Sequence, residues 1–92
     1  MSRSYLTPAE RLFAGCYPTG IVYADRARER HGDYVRLGFL SFSTLKLEIE
    51  SDCPSELREI IVKDAAGIQA RKGEQYQVST AGQTVMLGGG AQ

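Results

Sequence analysis

The sequence predicts an α+β fold: a small antiparallel sheet of about five strands, one principal helix packed on one face, and a short N-terminal helix. Three observations carry this prediction. Residues 53–72, CPSELREIIVKDAAGIQARK, are the one long stretch with helical periodicity. Residues 45–50 alternate apolar and charged side chains without a break, which marks a strand with one buried and one wet face. Other short β-rich runs are separated by brief polar connections, and short connections favour antiparallel neighbours, with the helix laid over the apolar side of the sheet.

The elements follow in order. Residues 1–6 are expected to be disordered. Thr7-Pro8-Ala9-Glu10 is a capping box with proline at the first helical position. It predicts a short helix ending near Gly15, with Leu12 and Phe13 turned inward. Tyr17-Pro18-Thr19-Gly20 reads as a turn. Residues 21–24 (IVYA) give a first strand, and residues 25–33 (DRARERHGD) a charged connection. Residues 34–40 form the second strand, with Val35, Leu37 and Phe39 on one face. Residues 41–44 turn the chain. In the third strand Leu45, Leu47 and Ile49 face the core, while Lys46, Glu48 and Glu50 face away.

In the principal helix Pro54 suits the first helical position, which makes Cys53 the N-cap and puts Glu56 at N3, near the positive end of the dipole. Leu57, Ile60, Ile61, Ala65 and Ile68 form one apolar stripe. Arg71 and Lys72 complement the C-terminal end of the dipole and Gly73 stops the helix. Asp64 interrupts the stripe. Either the stripe is only partly covered there, or Asp64 pairs with a sheet or helix cation such as Arg71, or it is a functional carboxylate with a raised pKa. Residues 75–80 and 84–87 make a closing hairpin joined by residues 81–83. Residues 88–92 (GGGAQ) offer nothing to bury and are expected to be disordered.

Ninety-two residues, 42% of them hydrophobic, suit a single domain. Eleven basic residues balance eleven acidic ones, which argues against a dedicated nonspecific DNA binder. No signal-peptide pattern opens the chain and no apolar run reaches the length of a membrane span, so a cytoplasmic protein with no membrane contact and reduced Cys16 and Cys53 is expected. Two cysteines and one histidine match no zinc spacing, and no phosphate-binding, dinucleotide-binding or hydrolase motif is present. No metal and no cofactor are expected.

The strongest candidate binding residues are Arg26, Arg28, Arg30 and His31 in the charged connection, with Arg36 on the next strand. Arginines spaced in this way suit phosphates or an acidic partner, and Tyr23 and Tyr34 flank them as bases for stacking. Against this, Asp25, Glu29 and Asp33 neutralise much of the same segment. Cys53 at a helix start is a candidate nucleophile, yet nothing places His31 beside it. Cys16 reads as a small buried residue.

Two resemblances add to this. The runs YPTGIVYADRARERHGDYVRLGFLSFSTLKLEIE, CPSEL and QVSTAGQTVML resemble small uncharacterised proteins of proteobacterial plasmids and integrative elements, a resemblance that covers residues 7–88. That likeness implies a bacterial accessory protein and carries no activity or site residues. The element order and the pair Gly88-Gly89 also resemble ubiquitin-like carriers, which end at their Gly-Gly, whereas Gly90-Ala91-Gln92 follow here. The leading expectation is a non-enzymatic module that binds a protein partner through the 25–36 segment, the open sheet face, or both. Nucleic-acid binding through the arginine segment is the first alternative; a carrier role and an enzyme using Cys53 or Asp64 are the others. A homodimer is compatible with a small core and an open face.

Overall fold

A computed structural model describes residues 6–87. The element order is α1 (Pro8–Arg11), β1 (Leu12–Tyr17), β2 (Gly20–Arg30), β3 (Asp33–Ser41), β4 (Lys46–Ile49), α2 (Ser55–Lys72), β5 (Gln77–Thr80) and β6 (Gln83–Met86). The strands form one sheet in which each lies beside the next in sequence. The α+β class holds, with one principal helix and a short one. The sheet differs from expectation in two ways: it has six strands, and β4 pairs with β5 in parallel. The parallel pair follows from α2, because two parallel neighbours need a long crossover between them and the helix supplies it.

The extra strand is β1. The capping box is present, with the Thr7 hydroxyl accepting from the Glu10 N–H at 3.2 Å and the Thr7 N–H donating to Glu10 Oε1 at 3.0 Å. The helix it starts ends at Arg11 rather than near Gly15. From Leu12 the chain instead pairs with β2, from Leu12 opposite Asp25 to Tyr17 opposite Gly20. A four-residue helix has little stability of its own, and the strand pairing replaces it.

In α2, Pro54 itself is the N-cap, with extended backbone (ψ 141°), and no side chain caps the first turn. The expected cap at Cys53 is therefore displaced by one residue. Leu57, Ile61, Ala65 and Ile68 are buried, while Ile60 is half-buried at the edge of the stripe. They pack on Ile21 and Tyr23 of β2, Leu37 and Leu40 of β3, Leu47 and Ile49 of β4, and the flanking Tyr76 and Leu87. Gly73 stops the helix in the left-handed region (φ 67°), and its N–H donates to the Gln69 carbonyl at 2.9 Å. The Gln69 side chain then joins the helix end to the hairpin, accepting from the Tyr76 N–H at 2.8 Å and donating to the Leu87 carbonyl at 3.4 Å.

The expected 25–33 connection is not a loop. Strands β2 and β3 run on to a two-residue turn at His31 and Gly32, both with positive φ (55° and 84°), as a hairpin turn that matches strand twist requires. β1 pairs with β2 only as far as Asp25, and β4 pairs with β3 only over residues 38–41. Residues 26–36 therefore project as a two-stranded arm. The molecule measures 43 × 26 × 25 Å.

Register divides the sheet into two faces. One row runs Gly15, Val22, Phe39, Glu48, Ser79, Thr84, and the next Tyr17, Gly20, Ser41, Lys46, Gln77, Met86. Residues directly opposite share a face, and these rows lie on the side away from α2. Among the described residues no helix is long and apolar enough to cross a membrane. The expected tail beyond Leu87, with Gly88 and Gly89, lies outside the described residues, as do residues 1–5.

Ile61 is fully buried against the sheet, so Ile61→Ala should cost about 2–5 kcal/mol. Denaturant unfolding measures this, and an unchanged midpoint would place the helix in another orientation.

Candidate binding surface

Asp25 organises the region that the sequence marked as arginine-rich. Its side chain is wholly buried. Arg11 grips it with two parallel bonds, Nε to Oδ1 at 3.1 Å and Nη2 to Oδ2 at 2.6 Å. Arg28 adds Nε to Oδ2 at 3.0 Å, and the Ala27 N–H donates to Oδ1 at 2.9 Å. Burial pushes the carboxyl up, but the donors from Arg11, Ala27 and Arg28 outweigh it and hold the pKa below the ordinary value. The Ala27 bond curls the backbone on itself, and here β2 slips register: Asp25 faces Val35, but the next pair is Glu29 with Tyr34. Three residues of β2 bulge out at the root of the arm.

The five predicted binding residues separate in the structure. Arg28 belongs to the Asp25 cluster and serves the fold. Arg26 is exposed and reaches the Glu10 carbonyl at 3.4 Å. His31 is exposed at the turn. Arg30 and Arg36 do come together. With Tyr34, Val35, Glu50 and Asp52 they line an open cleft of about 310 Å³ between the arm and the turn after β4. The last backbone bond on that edge is from the Glu50 N–H to the Leu37 carbonyl, at 2.8 Å. Among the described residues the β3 edge beyond it, residues 33–36, has no strand beside it.

Tyr23 is not available for stacking. It is fully buried, and its hydroxyl donates to Asp64 Oδ2 at 2.7 Å. Burial, then the Asp64 carboxylate, pushes its phenol well up. Asp64 itself is exposed, so the apolar stripe is only partly covered there, and it takes the hydroxyl of a core tyrosine rather than a cation such as Arg71. Cys16 is exposed on β1 rather than buried. Cys53 is half-buried and burial pushes its thiol up, the opposite of what a nucleophile at a helix start needs. Among the described residues no group of three or more His, Cys, Asp or Glu is placed to hold a metal ion.

The sheet face away from α2 holds aromatic residues that the sequence places elsewhere, Phe13 inward from a helix, Tyr17 in a turn and Phe39 beside Val35 and Leu37. Phe13, Tyr17 and Phe39 share it, and Tyr34 joins them through Phe13, with ring centroids 6.0 Å apart. The floor beneath is glycine. A β-carbon on Gly15 would stand 3.1 Å from the Phe13 ring and 3.4 Å from that of Tyr17, and one on Gly20 would meet the Phe39 ring at 2.8 Å. Phe13 and Phe39 are half-buried beside these glycines, and Tyr17 and Tyr34 remain 53% and 42% exposed. The period-two spacing of Phe13, Gly15 and Tyr17 was the available signal, but the capping box had assigned that stretch to a helix. Arg36 stands in the row of Phe13 and Ala24, and Lys46 in the row of Tyr17. Among the described residues the ion pairs are those of Arg11 and Arg28 with Asp25; Arg36 shares its cleft with Glu50 and Asp52, and Lys46 stands two residues from Glu48 on the same face.

The chain matches no protein-family model, no curated protein and no solved structure.

The Asp25 cluster gives acid sensitivity a definite sign. A carboxylate whose folded pKa is depressed stabilises fully above its unfolded value of about 3.9, and that stabilisation is lost as pH falls through the folded value. Asp25→Asn should cost about 2–3 kcal/mol near neutral pH, below the range for a fully buried pair because Arg11 and Arg28 reach water in part. It should also flatten the acid limb of the melting temperature against pH. An acid limb identical to that of the parent protein would remove Asp25 from this role.

Proposed function

We propose that the chain is a non-enzymatic binding module whose recognition surface is the open face of β1, β2 and β3 together with the adjoining arm. The observation that carries this reading is the aromatic strip Phe13, Tyr17, Phe39 and Tyr34, left uncovered beside Arg36 and Lys46. A face with no recognition role is expected to be polar where it meets water, as this sheet largely is over β4 and β5, with Lys46, Glu48, Gln77 and Ser79. Large aromatics gathered on one side of a small domain instead mark contact surfaces. The cleft at Arg30 and Arg36 continues the same surface along the arm.

The enzymatic alternative has less support. Cys53 has its thiol pushed up, and Asp64 is engaged by the Tyr23 hydroxyl. A bacterial cytoplasmic setting on a mobile element is part of the proposal and rests on the sequence resemblance alone.

The test is site-specific photocrosslinking in the producing cell, with a photoreactive amino acid placed in turn at Tyr17, Tyr34 and, as controls, at Glu59 and Lys63 on the outer side of α2. Discrete adducts should form from Tyr17 and Tyr34 and be weak or missing from the helix positions. Equal labelling at all four would refute the assignment of the surface.

A further inference from the structure

We propose that the chain pairs with a second copy of itself along the outer edge of β1, so that two sheets join into one through an antiparallel β1–β1 contact. This goes beyond the reading of the open face as the recognition surface, which such a pair leaves exposed on one side of the joined sheet.

The edge itself is the first support. A free strand edge presents unpaired N–H and C=O groups, and proteins blunt such edges with shortness, charge, proline or a bulge. Among the described residues the other free stretches are protected in these ways. β6 is four residues long, and the two strands of the arm carry Arg26, Glu29, Arg30, Asp33 and Arg36, with a bulge at their root. β1 has none of these protections. It is six residues long, uncharged and without proline, and its register with β2 runs unbroken from Leu12 to Tyr17. Ala14, Cys16 and Tyr17 are exposed along it, and no described strand lies on its outer side.

Self-complementarity names the occupant. The Leu12 N–H already donates to the Pro8 carbonyl of α1, and Pro18, just past Tyr17, has no N–H. The free ladder is therefore residues 13–17, with Gly15 at its centre. A two-fold axis normal to the sheet keeps each face on its own side, so residues that meet must share a face. An axis through Gly15 meets that condition and uses the whole free ladder. It sets each Phe13 opposite the partner's Tyr17 on the face away from α2, and each Ala14 opposite the partner's Cys16 on the other. The uncovered aromatic strips of the two copies then adjoin, and aromatic pairs are favoured cross-strand neighbours. No like charges meet. The end of β1 next to Glu10 and Arg11 falls beside the partner's Pro18-Thr19-Gly20 turn, which carries no charge. An acidic or basic foreign strand, by contrast, finds no opposite charge along this edge. So short a ladder makes a small interface, and the pair should form and separate with concentration.

The experiment is analytical ultracentrifugation of the full chain under reducing conditions over a wide range of concentration. The mass should rise from the 10.1 kDa of one chain toward twice that value. Ala14 is exposed in the single chain, so Ala14→Lys should keep the melting curve of the dilute protein while holding the mass at one chain throughout. Register is read by Ala14→Cys under mild oxidation. It should give a covalent dimer linked from position 14 to Cys16, whereas the parent, whose Cys16 residues stand two positions apart along the joint, should not link through them. A single-chain mass at every concentration would overturn the proposal. In that case slow amide exchange over residues 13–17 would show an edge covered from within the chain, and fast exchange an edge left to a foreign strand. Association that survives Ala14→Lys and gives no link from 14 to 16 would also overturn it, since the contact would lie elsewhere. Photocrosslinks from Tyr34 to a different protein leave the recognition-face reading standing whichever way the sedimentation falls; if neither they nor self-association is found, both readings fall.

Discussion

The buried carboxylate of Asp25 is the constraint on which the rest of the molecule depends. A charge taken wholly out of water is tolerated only when its oxygens are satisfied and an opposite charge is near. Arg11, Arg28 and the Ala27 N–H meet that demand from three places in the chain. Arg11 closes α1, so the bond fixes the N-terminal segment on the sheet and starts β1 beside β2. Ala27 and Arg28 lie just beyond Asp25, so the same bonds make the bulge in β2 and set the angle at which the arm leaves. One carboxylate thus couples the first helix, the edge strand and the projecting hairpin.

The two faces of the sheet then take different roles. On the side of α2, apolar residues from β2, β3 and β4 meet the helix stripe, and a polar contact across that layer, Tyr23 to Asp64, satisfies a hydroxyl that would otherwise be buried without a partner. On the far side no element among the described residues covers β1 to β3, and aromatic rings stand beside Gly15 and Gly20 there. The edge strand β1 matters most for this, because it contributes two of the rings and Gly15.

The features legible in the sequence were those whose signal is local. The stripe of Leu57, Ile61, Ala65 and Ile68 and the alternation around Leu47 and Ile49 report burial directly, and both are found as expected. The capping box at Thr7 is also real, but it says only where a helix begins. Its early end at Arg11 is decided by pairing with residues 20–25, a contact no local pattern records. On the β3 side of the arm the strand from Tyr34 is legible, but residues 26–30 on the β2 side read as a connection, because a strand exposed on both sides shows no alternation of apolar and polar residues. The parallel pairing of β4 and β5 is set by where α2 returns the chain. Of the predicted binding residues, Arg30 and Arg36 line one cleft, while Arg28 was indistinguishable in sequence from its neighbours and proves to be a partner of Asp25.

Amide hydrogen exchange across residues 26–36 tests this account most directly. If Asp25 holds the root of the arm, the Ala27 N–H should exchange only on global unfolding, and its protection should fall as acid protonates the carboxylate while that of Leu57 and Ile61 at the same pH still reports the intact core. An Ala27 amide that exchanges as freely as an open loop at neutral pH would contradict it: the arm would not be anchored by Asp25, and the recognition surface could not be treated as one fixed body.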